Sequence, residues 1–293
     1  MKEFYQDWNL NNKSYRLIEN INMILAEYEE QGYKLTLRQL FYQLVKQNII
    51  PSTIKEYAKL GTVVSKGRLA GMIDWYMIED RGRIPVDRTH WDNPTEILEM
   101  AMKTYYRSRW ETQTYYVEVM SEKDAVSNII QPVCRRWDVT FTANKGYSSL
   151  SALYEASLRM KKAFYNRKTS VLIYLGDHDP SGMDMTRDIE NRLYMFLKNA
   201  SPTVIRIALN MDQVIEYNPP ENPAKTTDSR FQKYADEFGE SSWELDALEP
   251  KVLEDLVEKE ITRLIDFDAW KEVEELEHEH KEKLQTVADE FED

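Results

Sequence analysis

The sequence predicts an α/β fold with a helical N-terminal domain, and three observations carry that prediction. Between residues 114 and 209, four β-rich runs alternate with helical patterns, the order that builds a Rossmann-like parallel sheet. One of these runs, Val171-Leu172-Ile173-Tyr174-Leu175, is apolar throughout and stops at Gly176-Asp177-His178-Asp179-Pro180-Ser181-Gly182. A run of strand length that ends in turn residues reads as a buried parallel strand, and its carboxyl end is the edge where open α/β sheets place their ligands. Ahead of the sheet, three helical patterns are followed by a β element and a basic turn, the order of a winged helix.

Taken in order, residues Tyr15 to Tyr28 have broadly helical apolar spacing, and Gln31-Gly32 supplies the stop. Thr36 is positioned to cap a second helix over 37–45, whose buried stripe is Leu37, Leu40, Phe41, Leu44 and Val45. Tyr42 lies off that stripe, on the side shared with Arg38. Pro51-Ser52-Thr53 opens a third helix that carries Lys55, Lys59, Lys66 and Arg68 around its apolar positions. As the recognition helix of a winged helix it would grip DNA, with Arg81 and Arg83 near the wing after a strand over 73–78; the alternative is a solvated basic face. Residues 84–93 read as a linker and 94–109 as a helix. The sheet region then predicts strand 114–120, helix 124–136, strand 138–143, helix 148–165, strand 171–175, helix 182–198 and strand 203–209. Three prolines break the chain at 219, 220 and 223, so 218–227 reads as a long loop near substrate. After Pro250 come an amphipathic helix and an acidic one that continues to 291. The predicted domains are therefore 1–92, 93–268 and 269–293.

The 293 residues are 42% hydrophobic, an ordinary globular composition with room for two domains. No apolar run approaches the roughly 20 residues of a membrane span, so a cytoplasmic protein is expected. Cys134 is the single cysteine, which rules out an intrachain disulfide and a thiolate metal cluster. The formal charge of −13 argues against nucleic acid until its distribution is considered. Residues 1–110 carry +2 and residues 111–238 carry −1, leaving −14 on residues 239–293. The first two-thirds are nearly neutral, so a local basic strip there can still hold DNA.

The chemistry concentrates at two strand ends. Asp177 and Asp179 stand one residue apart after the apolar strand, and hard oxygen ligands in a turn suit Mg²⁺, which takes one or two carboxylates and keeps several waters. The other reading is an Asp-Pro turn in which Asp179 caps the next helix. An earlier strand, Thr114 to Met120, leads into Ser121-Glu122-Lys123-Asp124-Ala125-Val126 and also delivers an acid at its end. A glutamate after one strand and an Asp-x-Asp after a later one is the pattern of the Toprim metal site. Glu-Lys-Asp-Ala-Val, Asn144-Lys145-Gly146 and Asp-His-Asp-Pro-Ser-Gly resemble blocks of the topoisomerase VI A subunit and the related meiotic double-strand-break transesterase. Thr36-Leu37-Arg38-Gln39-Leu40-Phe41-Tyr42 is similar to the block of the same family that ends in its DNA-attacking tyrosine. The likeness spans about 15–265 in matching order and is greatest to the short single-chain Mini-A proteins.

That resemblance implies a winged-helix domain, a Toprim domain and C-terminal helices. It further implies a type IIB topoisomerase-like transesterase, in which Tyr42 attacks duplex DNA to form a 5′-phosphotyrosyl bond. Glu122, Asp177 and Asp179 would hold Mg²⁺, or Mn²⁺ in its place. Double-stranded DNA, a second copy in a homodimer and an ATPase subunit encoded elsewhere are the implied partners, and in the family the tyrosine of one copy works with the acids of the other. Because a phenol with a pKa of about 10 is a weak nucleophile at neutral pH, Arg38, four residues before Tyr42, is the local candidate to favour its phenolate. Lys145 stands in the loop after the second strand, either to meet phosphate or as a surface lysine. Glu244, in Trp243-Glu244-Leu245-Asp246-Ala247-Leu248, is a weaker candidate for metal support. Two alternatives stay open: a Toprim metallonuclease that uses water, and a non-catalytic DNA-binding or DNA-sensing subunit. There is no Walker A motif or glycine-rich nucleotide fingerprint, so no ATP hydrolysis by this chain is expected.

Overall fold

The structure is a computed structural model and describes residues 1–79, 90–144 and 150–290. Helix α1 (Asn12–Glu30) is followed by a two-residue strand β1 (Leu35–Thr36) and helix α2 (Leu37–Lys46). Thr36 starts α2 with a capping box: its hydroxyl accepts from the Gln39 backbone, and the Gln39 side chain accepts from the Thr36 backbone. Thr53 caps helix α3 (Ile54–Leu69), which completes the helical module. Ile18, Ile21, Ile24, Leu40, Leu44, Leu60, Val64 and Ile73 form its core.

The predicted strand over 73–78 is a correction. Only Ile78–Glu79 is extended, as β2, and it pairs in parallel with β1. Upstream, Ile73 turns inward and is fully buried, packing where Gly67 leaves no side chain in its way. Arg68 holds this turn by donating to the carbonyls of Trp75 and Ile78.

Helix α4 (Pro94–Thr104) leads to the sheet module, whose strands are β3 (Tyr115–Ser121), β4 (Thr140–Ala143), β5 (Thr169–Leu175) and β6 (Thr203–Ala208). Helix α5 (Ser127–Arg136), helix α6 (Leu150–Tyr165) and helix α7 (Pro180–Leu197) connect them. All neighbours are parallel in the order β4-β3-β5-β6. Strand alternation divides the side chains between two layers. Val117, Val119, Ile173 and Leu175 face α5, while Met120, Leu172 and Tyr174 face α6 and α7. The chain leaves β3 toward one edge and returns to β5 on the other side, so a crevice opens between the carboxyl ends of these two strands. Such a topological switch point is the usual ligand site of an open α/β sheet.

Beyond β6 lie helix α8 (Met211–Tyr217), strand β7 (Glu221–Pro223), helix α9 (Phe231–Phe238) and strand β8 (Ser241–Trp243). The expected loop over 218–227 thus contains a strand, and β7 pairs antiparallel with β8. Helix α10 (Pro250–Thr262) and helix α11 (Phe267–Asp289) follow. The acidic helix packs on the sheet module through Trp270, which meets the rings of Trp110 and Trp137 edge-on. No described helix is long and apolar enough to cross a membrane.

Gly182, in the first turn of α7, tests how tightly the switch point is built, because a β-carbon there would overlap the carbonyl oxygen of Asp177. Gly182→Ala should lower stability by on the order of 3 kcal/mol, since backbone and not a flexible side chain has to move. Urea denaturation checks this, and a loss below about 0.5 kcal/mol would mean that the turn is softer than its geometry.

Candidate functional site

Three segments meet at the switch point. Strand β3 ends by placing Glu122 and Lys123 at the crevice, and β5 ends by placing Gly176 and Asp177 beside them. The third segment comes from far along the chain. His178 and Trp243 exchange both backbone hydrogen bonds at 2.9 Å, which pins the end of β8 to the strand edge. Trp243 is followed directly by Glu244, Leu245 and Asp246, and the Leu245 N–H donates to Asp177 Oδ1 at 2.7 Å. His178 is itself fully buried, with Nδ1 2.7 Å from the Tyr234 hydroxyl. Burial pushes its imidazole down to about 4, so it is a neutral structural group that holds this third segment in place.

Lys123 lies at the centre of the acids. Its Nζ is 2.9 Å from Asp177 and 3.0 Å from Asp246, and it also contacts Glu244. Arg38 reaches across from α2, placing Nε 3.1 Å from Asp246 and pairing with Glu244. Burial works against the Lys123 ammonium, but Asp246, Asp177 and Glu244 outweigh it and hold the proton firmly. Asp177, Glu244 and Asp246 present carboxylate oxygens that all lie within 4.8 Å of one another, a group that could hold a metal ion. Three hard oxygen donors suit Mg²⁺ or Mn²⁺.

The predicted triad Glu122, Asp177 and Asp179 is brought together only in part. Glu122 Oε2 accepts from the Asp177 N–H at 2.9 Å. Burial, and then the neighbouring Asp177 charge, push the Glu122 carboxyl up to about 7. Burial likewise raises Asp177, against the pull of Lys123. Asp179 caps α7, its Oδ1 accepting from the Gly182 N–H at 2.6 Å and from Ser181 Oγ at 2.9 Å. The turn-and-cap reading therefore describes this residue's contacts.

Tyr42 is only 5% exposed. It lines a cleft of about 240 Å³ with Arg38, Tyr57, Ser52, Asn222 and Glu244. Arg38 stands as expected, its guanidinium carbon 5.9 Å from the Tyr42 ring centre. It also acts in the expected direction, favouring the phenolate, but it is outweighed. Burial, Glu244 and Asp246 push the phenol up to about 12, and Arg38 only partly offsets them.

The basic residues divide. Lys55, Lys59 and Lys66 are exposed and, at 100° per residue, share one stripe of α3, whereas Arg68 lies roughly 140° or more from each of them and is occupied by the turn after α3. Arg68 is thus a structural residue here, a correction to the basic strip. The three lysines face away from Tyr57, whose ring closes the Tyr42 cleft, and Lys59 instead borders a groove with Lys13 and Arg16 of α1. Arg81, Arg83 and Lys145 lie outside the described residues. Reading the sequence missed Lys123, Asp246 and Asn222. Glu244-Leu245-Asp246 repeats the acid-x-acid spacing of Asp177-His178-Asp179, which was the available signal for Asp246. Lys123 directly follows a strand-end acid, and Asn222 carried no signal.

Comparison with protein-family models, curated proteins and solved structures finds no match to this chain.

The raised Glu122 carboxyl has a consequence for the metal-free protein. Its folded value lies above the unfolded 4.5, so its charge costs nothing below about 4.5 and costs fully above about 7. In EDTA, Glu122→Gln should therefore raise stability at pH 8 by on the order of 2 kcal/mol, and the gain should vanish near pH 4.5. Denaturant titrations across this range check the sign. A gain independent of pH would remove the buried charge as its cause.

Proposed function

We propose that the chain is a metal-dependent DNA-cleaving transesterase with Tyr42 as its nucleophile. One observation carries this reading: Tyr42 of the helical module and the carboxylate and cation cluster at the sheet's switch point meet at a single cleft. Fold class, strand-end acids and tyrosine thus occur in the combination that the topoisomerase VI A resemblance implies. In this reading the helical module is the winged helix and the sheet module the Toprim domain. Duplex DNA is the substrate, with Lys55, Lys59 and Lys66 as phosphate contacts.

In the reaction, Tyr42 Oη forms a bond to phosphorus as the bond from phosphorus to the 3′ oxygen breaks. The phenol proton leaves to a base and the 3′ oxygen takes up a proton, so the phosphodiester energy is kept in the tyrosyl ester. Glu244 lines the same cleft as Tyr42, which makes it the candidate proton acceptor. Burial acts to raise the Glu244 carboxyl, but Lys123 and Arg38 hold it below its usual range. Transfer from a phenol near 12 to such a carboxylate is strongly uphill. The arrangement with Tyr42 on its own chain's acids is accordingly a resting one, and attack follows once added positive charge or a second copy re-sets the contact. A divalent cation held by Asp177 with Glu122 and Asp179 would neutralise charge on the transferring phosphate.

A second reading, a metallonuclease that uses water, is favoured by one observation, the burial of Tyr42 with its phenol proton held tightly. The two readings separate on supercoiled DNA with Mg²⁺ or Mn²⁺, quenched with denaturant. The transesterase leaves protein covalently on 5′ ends, and Tyr42→Phe should abolish these adducts while DNA binding changes less than about threefold. Undiminished cleavage by that variant, with protein-free ends, selects the nuclease. DNA binding with no cleavage by either protein selects a non-catalytic subunit.

A further inference from the structure

We propose that helix α6 is a contact between two copies of this chain, packed antiparallel on itself about a two-fold axis at Leu158. No residue of α6 lines the Tyr42 cleft. The contact therefore goes beyond the transesterase reading, and beyond a dimer that shares a tyrosine and acids between copies.

Helix α6 has two apolar faces, and its own fold uses one. Leu153, Ala156 and Met160 are buried in the core layer that also holds Leu172 and Tyr174 of β5 and Ile189 of α7. On a second face, Leu150, Tyr154, Leu158 and Tyr165 lie within roughly 80° of one another at 100° per residue. They are 55%, 49%, 44% and 71% exposed. Single exposed apolar side chains are ordinary, but a stripe that runs the length of a helix is a contact surface. The Tyr154 ring meets the Phe196 ring at 5.6 Å, which carries the patch onto the last turn of α7.

Charge identifies the occupant as a second copy. Lys161 stands within the stripe, and Glu155 and Lys162 flank it on one side, roughly 60° and 40° beyond Leu158. All three are exposed, and none has an ion-pair partner among the described residues. Arg159, farther round the helix, is held by Glu118. In an antiparallel pair with its two-fold axis at Leu158, residues nearly equally far before and after Leu158 come opposite one another, and like flanks meet. Leu158 then meets itself, while Leu150 meets Tyr165, Tyr154 meets Lys161 and Glu155 meets Lys162, each twice. The one charge inside the stripe thus lies against an aromatic ring, and each flanking charge lies against its opposite. Size agrees as well. The four apolar side chains with Glu155, Lys161 and Lys162, at roughly 100 Å² each, offer about 700 Å² per copy, close to the roughly 800 Å² that a standard interface takes from each partner. The apolar stripe supplies the affinity, and the ion pairs fix the register.

The test uses the full chain in sedimentation-equilibrium runs without DNA or metal, so it holds whether or not Tyr42 attacks DNA. Leu158→Lys sets two like charges on the axis and should halve the particle mass at micromolar concentration. Glu155→Lys and Lys162→Glu each set like charges against one another and should weaken association by about tenfold or more. The two together should restore it to within about threefold of the wild type. Glu190→Lys, equally exposed on α7 and off the stripe, should change it less than about threefold. Leu158→Cys reads the contact directly: the one native thiol, Cys134, is buried, so a short bismaleimide should join copies through position 158 and leave the wild type unlinked. All four positions are exposed, and circular dichroism checks that each variant keeps its fold. A wild-type chain that sediments as one copy at high micromolar concentration overturns the proposal. So does a particle mass unchanged by Leu158→Lys with no cross-link at position 158. Loss of association in both single charge variants without recovery in the double variant overturns it too, because the antiparallel register then fails.

Discussion

The ion-pair relay from Arg38 through Glu244, Lys123 and Asp246 to Asp177 is the interaction on which the rest of the candidate site depends. It links α2 to the carboxyl ends of β3 and β5, so the position of Tyr42 and the position of the acids are set together. Such pairs contribute little net stability against well-packed apolar groups, but removing one partner strands a buried charge at a cost of about 3–5 kcal/mol. The relay therefore specifies one arrangement of the two modules more than it strengthens either. Other contacts across the same boundary bear this out. Tyr28 and Lys46 both meet Glu249, Tyr33 meets Glu254, and Asn128 donates to the Lys34 carbonyl.

Two close backbone approaches make the relay possible. Gly176 admits Glu122 Oε2 and the Tyr174 hydroxyl to within 2.8 Å of where its β-carbon would stand, and Gly182 lets α7 start against the Asp177 carbonyl. Arg206 then collects the carbonyls of Gly176, Asp177, Gly182 and Leu209 beneath the turn. Carbonyls converging on one buried guanidinium fix the turn's direction, and that direction turns the Asp177 carboxylate toward Lys123. His178 does the same from the other side, through its two-bond pairing with Trp243.

Much of this was legible in the sequence, and the parts that were not share a cause. The alternation of β-rich runs with helical patterns located all four strands of the main sheet within three residues at each end, and the clearest run was that of β5, which is buried on both faces. Thr36 announced α2 by its capping chemistry, and Pro51-Ser52-Thr53 marked the start of α3, which Thr53 caps. Glu122 and Asp177 stood out as acids at strand ends, and the structure puts them in contact. What failed was long-range. The 73–78 segment has strand-forming residues but is used as a turn, because Ile73 is needed in the core and Arg68 binds the carbonyls that a wing would have paired. Asp246 enters the site only through the pairing at the end of β8, and no local pattern encodes a pairing between residues 178 and 243.

Charge, finally, places a condition on any nucleic-acid function of this cleft. Its lining brings Tyr42 and Asn222 together with Glu244, backed by Asp246, Asp177 and Glu122, and Arg38 and Lys123 are already shared among these acids. A phosphate approaching such a cleft meets net negative potential in a place where water screens it poorly. The exposed lysine stripe of α3 is on the other side of that helix from Tyr57 and lends little field here. Affinity for DNA supplied by that stripe would therefore hold the duplex against the helical module without drawing a phosphate to Tyr42. A phosphate reaches the phenol only when positive charge is added at the acids or freed from them. On the proposed reading, the carboxylates that help keep Tyr42 protonated would thereby make a cation a precondition for its attack.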